Sequence, residues 1–152
     1  MYYDYDGKLK LRKEYIAGYF DGEGTVYINP KKIKNKNKID YTLVVHIGNL
    51  KKDVLEVIQS MYGGKIYPII QENGKIFHRW MINSKKAYYF LIDIKNYCVD
   101  KRHAIDIAIE FRKTFNKNNH WKRNGVSKKI MVERKRLYEL LKKTNHSYES
   151  YI

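Results

Sequence analysis

The sequence has little cysteine and no long apolar run. Its single cysteine, Cys98, excludes an internal disulfide and a zinc site built from several thiolates. No apolar stretch approaches the ~18 residues that are needed to span a bilayer. The first ten residues are polar and lack the apolar core of a secretory signal. These absences predict a soluble, intracellular protein that is neither secreted nor inserted in a membrane.

Acidic residues are also scarce, and the resulting charge narrows the class of partner. Lys and Arg number 31 against 16 Asp and Glu, which gives a formal net charge of +15. Nucleic acid is the first candidate partner, because neutralising phosphates releases counterions; an anionic membrane surface is the alternative. Tyr is common, with 15 residues, and it serves phosphate contacts, base contacts and stacking. A biased genome composition also explains this abundance.

Several enzyme signatures are missing. The sequence contains no Ser-His-Asp order, no Walker loop and no dinucleotide-binding glycine pattern, and its five histidines lack metal-ligand spacing. No small-molecule substrate is therefore predicted. The length of 152 residues and the absence of a linker predict a single domain over residues 1–152, with its core at about 10–142.

The hydrophobic pattern alternates between helical and strand periods. It predicts a helix at 12–22, a hairpin at 25–48 with a basic tip at 31–38, and a helix at 50–62 with Asn49 as N-cap. A second hairpin follows, with strands at 65–70 and 75–82 joined across Asn73-Gly74.

Helices are predicted at 84–97, 100–115 and 127–142. The fold class is α+β, in the order helix, hairpin, helix, hairpin, helix. The four strands are expected to form one antiparallel sheet with the helices on a single face. The other face stays open, and its side chains are the candidates for binding a partner.

One stretch carries a specific motif. It reads Ile16-Ala17-Gly18-Tyr19-Phe20-Asp21-Gly22-Glu23-Gly24 and leads into the strand Thr25-Val26-Tyr27-Ile28. A helix stop followed by a glycine-rich turn is the plain interpretation. The stretch also resembles the LAGLIDADG motif of homing endonucleases, with Ile16 in place of the first Leu and Glu23 where Asp is commoner. The order of elements matches that family as well.

The resemblance implies that the small residues of the motif allow two helices to pack together. Ala17, Gly18 and Gly22 are small enough for two copies of the helix to pack with their backbones close together. With Asp21 they form the expected dimer interface. Only one copy of the motif is present, and family members with one motif are homodimers, which have nearly palindromic DNA sites.

The resemblance also implies a metal centre. In the family, the last acidic residue of the motif and the preceding glycine carbonyl bind metal at the DNA backbone. Glu23 and Gly22 are therefore the expected metal ligands, and their hard oxygen atoms suit Mg²⁺, or another divalent cation such as Mn²⁺.

Two further positions match the family pattern for the active site. Asn49 lies where the family often has a polar residue that orders catalytic water, and this role competes with the helix N-cap. Lys101 lies where a basic residue often approaches the scissile phosphate. The spacing leaves Arg102 as its alternative, and a solvated lysine at a helix start is the plain interpretation.

The open face of the sheet is expected to contact DNA, because a two-stranded ribbon fits the major groove. Alternation along the strands selects Tyr27, Asn29, Lys31, Thr42, His46, Lys65, Tyr67 and Gln71. The fourth strand is ambiguous, since Lys75, Phe77 and Arg79 compete with His78 and Trp80; Arg79 is preferred for DNA contact.

Further basic residues are candidates for phosphate contacts or for solvated surfaces. They lie in the loop that contains Lys32, Lys34, Lys36 and Lys38, in the segment His120-Trp121-Lys122-Arg123, and on the last helix at Lys128, Lys129, Arg134 and Lys135.

The resemblance implies a metal-dependent, site-specific endonuclease. It would cleave both strands of a long, pseudo-palindromic DNA site, leave short 3′ overhangs and be encoded within an intron. Two alternatives remain: an RNA maturase or other non-cleaving binder on the same scaffold, and a basic RNA-binding structural protein. The glycine-flanked acid favours the nuclease, because a binder does not require it.

Overall fold

The computed structural model of the chain describes residues 1–115 and 126–147. The elements are β1 (Tyr2–Tyr3), β2 (Leu9–Lys10), α1 (Lys13–Glu23), β3 (Gly24–Lys32), β4 (Ile39–Asn49), α2 (Asp53–Tyr62), β5 (Lys65–Ile70), β6 (Ile76–Asn83), α3 (Ser84–Ile94), a 3₁₀ turn (Lys95–Tyr97), α4 (Arg102–Lys113) and α5 (Lys128–Ser147). None of the helices in these residues has the length and apolar character needed to cross a membrane.

The two predicted hairpins join into one antiparallel sheet with the strand order β3-β4-β6-β5. The inner strands β4 and β6 pair from Val44 opposite Asn83 to Asn49 opposite His78. This confirms the predicted α+β fold with a four-stranded antiparallel sheet. The sequence did not predict the strand order, because it depends on which hairpin edges meet.

Alternation along the strands separates the two faces of the sheet. Val26 and Ile28 of β3 and Val45 and Ile47 of β4 are buried, because successive side chains of a strand point to opposite faces. Residues of the other parity, such as Tyr27, lie on the opposite, open face.

The core under the sheet is rich in aromatic side chains. The Phe90 ring packs edge-on against Phe20, Trp80 and Tyr62, with centroid distances of 5.6, 5.2 and 5.0 Å. Trp80 is fully buried, and its indole N–H donates to the Gly63 carbonyl at 2.8 Å. These contacts join α1, β6 and α3 and fix the end of α1 against the sheet.

One local prediction needs correction, and one small element was not predicted. Asn49 does not cap α2, since the helix starts at Asp53 with Lys52 at the N-cap position. The Asn49 Oδ1 instead accepts a hydrogen bond from the Lys51 backbone N–H at 3.0 Å, which forms a turn ahead of the helix. The polar start of the chain was not predicted to be structured, yet Tyr2 pairs with Lys10 in the small hairpin β1–β2.

Arg134 has a structural role that differs from the predicted one. It is only 4% exposed, and its guanidinium lies 3.6 Å from the centroid of the Phe115 ring. Its Nε and Nη2 donate to the Thr114 hydroxyl and carbonyl at 3.0 and 3.2 Å. Arg134 therefore fastens α5 to the end of α4 and is not available to clamp DNA.

Candidate active site and nucleic-acid interface

The motif ends in an exposed carboxylate beside the sheet. Glu23 is the last residue of α1 and is exposed, and Gly22 before it is exposed as well. Gly24 starts β3 directly, and a Cβ there would lie 2.1 Å from Cδ2 of the Phe20 ring. The glycine therefore lets the helix turn into the strand without a linker, which places Glu23 at the edge of the open face.

The outward side of α1 carries glycine in its second half. Gly18 and Gly22 are exposed one helical turn apart, and a Cβ at either position would meet nothing within 4 Å. Ala17 points towards the core instead and is 0% exposed, so its side chain contacts the protein itself. The smooth outward stripe consists of the two glycines, whereas the predicted interface also included Ala17 and Asp21.

Asp21 fastens the end of α1 to the start of α4. Its Oδ2 accepts the Val99 backbone N–H at 2.7 Å, and its Oδ1 accepts the Lys101 N–H at 3.1 Å. Lys101 is the N-cap position of α4 and supplies no side-chain cap of its own. The carboxylate therefore provides the negative charge that a helix N-terminus favours, from a residue about eighty positions away.

We expect Asp21→Asn to lower the free energy of unfolding by about 1–3 kcal/mol, because an amide accepts through one oxygen only and turns an N–H₂ towards a donor. Urea denaturation of the two proteins measures the change. Glu23→Gln makes the same chemical change two residues further, at an exposed position, and should stay within about 0.5 kcal/mol of the original. Equal stability of Asp21→Asn and Glu23→Gln would contradict this role.

Lys101 reaches the end of the motif helix. Its Nζ donates to the Asp21 carbonyl oxygen and lies 5.9 Å from the centroid of the Phe20 ring. Burial lowers the pKa of the Lys101 amine, and this is opposed by Asp21, Asp100 and the other acidic groups near it, Glu23 included. The ammonium group has three N–H donors, so it keeps donors for a further ligand. Arg102, the alternative, is exposed in the first turn of α4.

Asn49 also reaches α1, through a tyrosine. Its Nδ2 donates to the Tyr19 hydroxyl oxygen at 2.7 Å. The Tyr19 ring is stacked on Tyr15, with a centroid distance of 6.2 Å and an interplanar angle of 13°. Burial raises the pKa of the Tyr19 phenol; the Asn49 hydrogen bond lowers it, while Glu23 raises it. This hydrogen bond thus connects the end of β4 to α1, one turn before Glu23.

The open face carries a cluster with one side chain from each strand: Tyr27, His46, Arg79 and Tyr67. Tyr27 packs edge-on against His46 with a centroid distance of 5.7 Å. Tyr67 lies opposite Arg79 in the strand register and donates its hydroxyl to the Met81 sulfur at 2.8 Å. The cluster spans the full width of the sheet beside the end of α1.

The strand register decides which side of β6 belongs to the open face. Arg79 lies opposite Gly48, while Trp80 lies opposite the buried Ile47. A Cβ on Gly48 would be 2.2 Å from Cζ of the Phe77 ring, so that ring covers the glycine on the open side. Arg79 and Phe77 therefore share the open face, and His78 and Trp80 belong to the other parity.

The guanidinium of Arg79 is partly desolvated. Its Nε is buried and has no hydrogen-bond partner among the described residues. Burial, followed by the positive charge of Arg79, lowers the pKa of His46 to about 4. The imidazole is therefore neutral at neutral pH and presents one donor and one acceptor nitrogen to a ligand.

We expect the pH dependence of stability to report on His46. Its pKa is 6.5 when unfolded and about 4 when folded, so the unfolded chain binds the proton more readily. Stability from this group is complete above 6.5 and falls as the pH decreases from 6.5 to about 4. Urea midpoints of the protein and of His46→Gln, compared between pH 4 and 8, should diverge in this window, with the original protein losing more. Parallel curves would contradict the assignment.

The remaining predicted DNA contacts lie around this cluster. Asn29 and Thr42 are partners in the β3–β4 register, as are Lys31 and Asp40, further from Glu23 along the hairpin. Lys65 and Gln71, at the start of β5 and just after its end, are exposed. The lysines at 32, 34, 36 and 38 are exposed at the hairpin tip, as are Lys128, Lys129 and Lys135 on α5. The segment 120–123 lies outside the described residues.

Two residues near the site were missed by the sequence reasoning. Thr25 pairs with His46 and is the first open-face residue after Glu23; the same alternation that selected Tyr27 would have found it. Tyr19 lies four residues before Glu23 on α1, a spacing that places two side chains on the same side of a helix.

The fold and the site define a class: an α+β protein with an open antiparallel sheet and a carboxylate at the end of a glycine-striped helix. A model of the LAGLIDADG endonuclease family matches residues 16–107. That match spans the motif, both hairpins and the start of α4, so the chain belongs to the LAGLIDADG endonuclease family. No curated protein sequence matches the chain.

Solved structures share the fold. The homing endonuclease I-CvuI, in complex with its target in the presence of Ca, superposes with a TM-score of 0.70 at 14% identity, over 87% of this chain and 80% of that one. The archaeal intron-encoded homing endonuclease I-Vdi141I, complexed with DNA, gives 0.69 at 19% identity, over 87% and 82%. The LAGLIDADG homing endonuclease I-GzeII, with its DNA target, gives 0.69 at 18% identity, over 85% of this chain and 44% of that one.

Proposed function

We propose that the protein is a site-specific DNA endonuclease that works as a homodimer and cleaves both strands of a long, nearly palindromic site. The observation that carries the proposal is the position of Glu23. It is an exposed carboxylate at the end of a helix whose outward stripe is glycine, beside an open sheet face. This is the place where two copies of the helix would bring two carboxylates together.

Two features of the chain support the homodimer. Gly18 and Gly22 leave open space along α1, so two α1 helices can approach backbone to backbone. The I-GzeII chain is more than twice as long as the part this chain covers. A second copy of the present chain would supply the equivalent of the remainder. Two-fold symmetry then predicts a DNA site with two related halves.

The metal site suits a divalent cation held between subunits. Within the described residues, no three His, Cys, Asp or Glu side chains cluster to hold a metal ion. Each chain instead offers the Glu23 carboxylate and the Gly22 carbonyl, which are hard oxygen ligands of the kind that Mg²⁺ or Mn²⁺ prefers. When bound, the cation supplies the charge that activates water and stabilises the leaving oxygen. The crystal structure of I-CvuI with its target was obtained in the presence of Ca, which supports a divalent cation here.

The chain's own residues have distinct tasks at this centre. Glu23 holds its carboxylate at the scissile phosphate, and Lys101, placed at the same helix end, offers its ammonium group to a phosphate oxygen. Asn49 holds a polar group at the end of β4 that helps to position water. Asp21 acts further back, by fixing α4 so that Lys101 stays beside α1.

The open face accounts for recognition of a long site. The ribbon from Thr25 to Lys32 is about 23 Å long at 3.3 Å per residue, which matches about seven base pairs of DNA at 3.4 Å each. The central cluster of Tyr27, His46, Tyr67 and Arg79 would contact base edges in the major groove. Arg79 is suited to guanine. The lysine-rich hairpin tip would contact phosphates further out.

A binding selection followed by cleavage tests the proposal. The protein is incubated with duplexes that carry a random segment of about 18 base pairs with no imposed symmetry, in Ca²⁺, and the bound DNA is sequenced. The enriched duplex is then incubated with the protein in Mg²⁺, with an EDTA control. We expect a palindromic consensus of about seven base pairs per half and Mg²⁺-dependent cleavage of both strands. Enrichment without cleavage would point to a binding protein, and no enrichment would overturn the proposal. An intron insertion point in the host locus would supply a natural site to compare, because we propose that the gene is intron-encoded.

A further inference from the structure

Two hydrogen bonds fix the Asn49 side chain beside the proposed active centre. Asn49 Oδ1 accepts the Lys51 backbone N–H at 3.0 Å, and its Nδ2 donates to the Tyr19 hydroxyl at 2.7 Å. The amide is therefore held from both ends. Its carbonyl oxygen already accepts one hydrogen bond, and one of its two N–H bonds is committed to the tyrosine.

The Tyr19 hydroxyl, in contrast, still has a hydrogen to donate. A phenol has one O–H donor and an oxygen that accepts. Because Asn49 donates into that oxygen, the Tyr19 hydrogen must point away from Asn49. The phenol O–H prefers the plane of the ring, and that plane is held because the ring is half-buried and stacked on Tyr15 at an interplanar angle of 13°.

The side of α1 that carries Tyr19 also carries the motif carboxylate. Tyr19 and Glu23 are four residues apart on α1, so they lie on the same side of the helix. Lys101 approaches the same helix end, with its Nζ on the Asp21 carbonyl. The hydroxyl of Tyr19 is thus bonded to the end of β4 and belongs to the side of α1 that carries the acid.

We propose that Tyr19 is a catalytic residue of the endonuclease: its hydroxyl, oriented by Asn49, donates a hydrogen bond to the water at the scissile phosphate beside Glu23. Asn49 is then a positioning residue that acts through Tyr19. The inference rests on the proposed function, and it places the contact to water on a residue of the motif helix itself. No proton leaves the phenol in this role; the hydroxyl only orients the water.

Single-turnover cleavage of the selected duplex, at saturating protein in Mg²⁺, tests whether Asn49 acts through Tyr19. Tyr19→Phe keeps the ring and removes the hydroxyl, and should slow cleavage about tenfold to hundredfold. Asn49→Ala leaves a hydroxyl that still donates but is not oriented, and should slow cleavage less. The double variant should match Tyr19→Phe alone, because the two residues act in series.

Controls separate this role from a loss of fold or binding. DNA affinity in Ca²⁺ and the urea midpoint should stay near those of the original protein for Tyr19→Phe. Tyr88→Phe, on α3, removes a hydroxyl elsewhere and should leave the rate unchanged. A crystal structure of the dimer on uncleaved DNA in Ca²⁺ should contain a water about 2.6–3.2 Å from the Tyr19 oxygen.

Two outcomes would overturn the inference while leaving the proposed endonuclease intact. One is cleavage by Tyr19→Phe at the original rate. The other is a larger loss in Asn49→Ala than in Tyr19→Phe, since Asn49 would then contact the water itself. Failure of the original protein to cleave any selected duplex would instead overturn the endonuclease, and this inference with it.

Discussion

Replacing Glu23 with Gln is expected to abolish cleavage, with a fall in the single-turnover rate of about a thousandfold or more. The substitution keeps the shape of the side chain and removes the charge that we propose holds a divalent cation at the phosphate. Such a cation stabilises the transition state by several kcal/mol. In a homodimer both centres lose the carboxylate together. Affinity for the selected duplex should not fall, because a negative charge has been removed next to a phosphate.

Glu14→Gln is the matched control for this prediction. Glu14 is an exposed glutamate in the first turn of the same helix. Glu14→Gln therefore removes the same charge from the same helix, but at the end away from the proposed metal site. Its cleavage rate should remain near the original. If Glu23→Gln cleaved as fast as Glu14→Gln, Glu23 would not be a metal ligand and the proposed active centre would be wrong.

Replacing Gly18 with Leu is expected to give a folded monomer that does not cleave. A Cβ at Gly18 meets nothing within 4 Å in the single chain, so the side chain fits the monomer without strain. It would project from the stripe along which two α1 helices are proposed to meet. Close backbone packing there leaves no room for leucine, and an active centre with one carboxylate cannot hold the cation for two strands.

Light scattering coupled to gel filtration, together with far-UV circular dichroism, measures this result. The variant should have the mass of one chain, 18.3 kDa, with the helix content of the original. Ser60→Leu places the same side chain at an exposed position of α2 and should remain a cleaving dimer. A Gly18→Leu protein that is still a dimer would show that the subunits pair through another surface.

The parts of the fold that depend on local pattern could be predicted from the sequence. The helix at 12–22 is found at Lys13–Glu23, and the turn at Asn73-Gly74 joins two strands that end and begin at Ile70 and Ile76. Gly74 has a φ of 78°, a conformation that glycine adopts without steric cost. Helix boundaries differ from the predicted ones by a few residues, as at the start of α2 at Asp53, because a terminal turn depends on neighbours outside the helix.

The parts that depend on distant partners could not be predicted. Asn49 is a residue type and position typical of an N-cap, yet its amide is hydrogen-bonded to Tyr19, thirty residues earlier. Arg134 lies in a basic stretch typical of a solvated helix face, yet it is buried against Phe115 and Thr114. A polar side chain has several possible partners of similar energy, and only the packing of elements decides which one is within reach.

By itself the sequence determined the motif helix, the alternation of the strands and the glycine-flanked acid, because each of these depends on residues within a few positions of one another. Tertiary structure alone decided that β4 lies beside β6, that Arg79 and not Trp80 is on the open face, and that Tyr19 connects Asn49 to the end of α1. The physical reason is that backbone periodicity is a local property, whereas strand order and side-chain partners are chosen by the burial of the whole core.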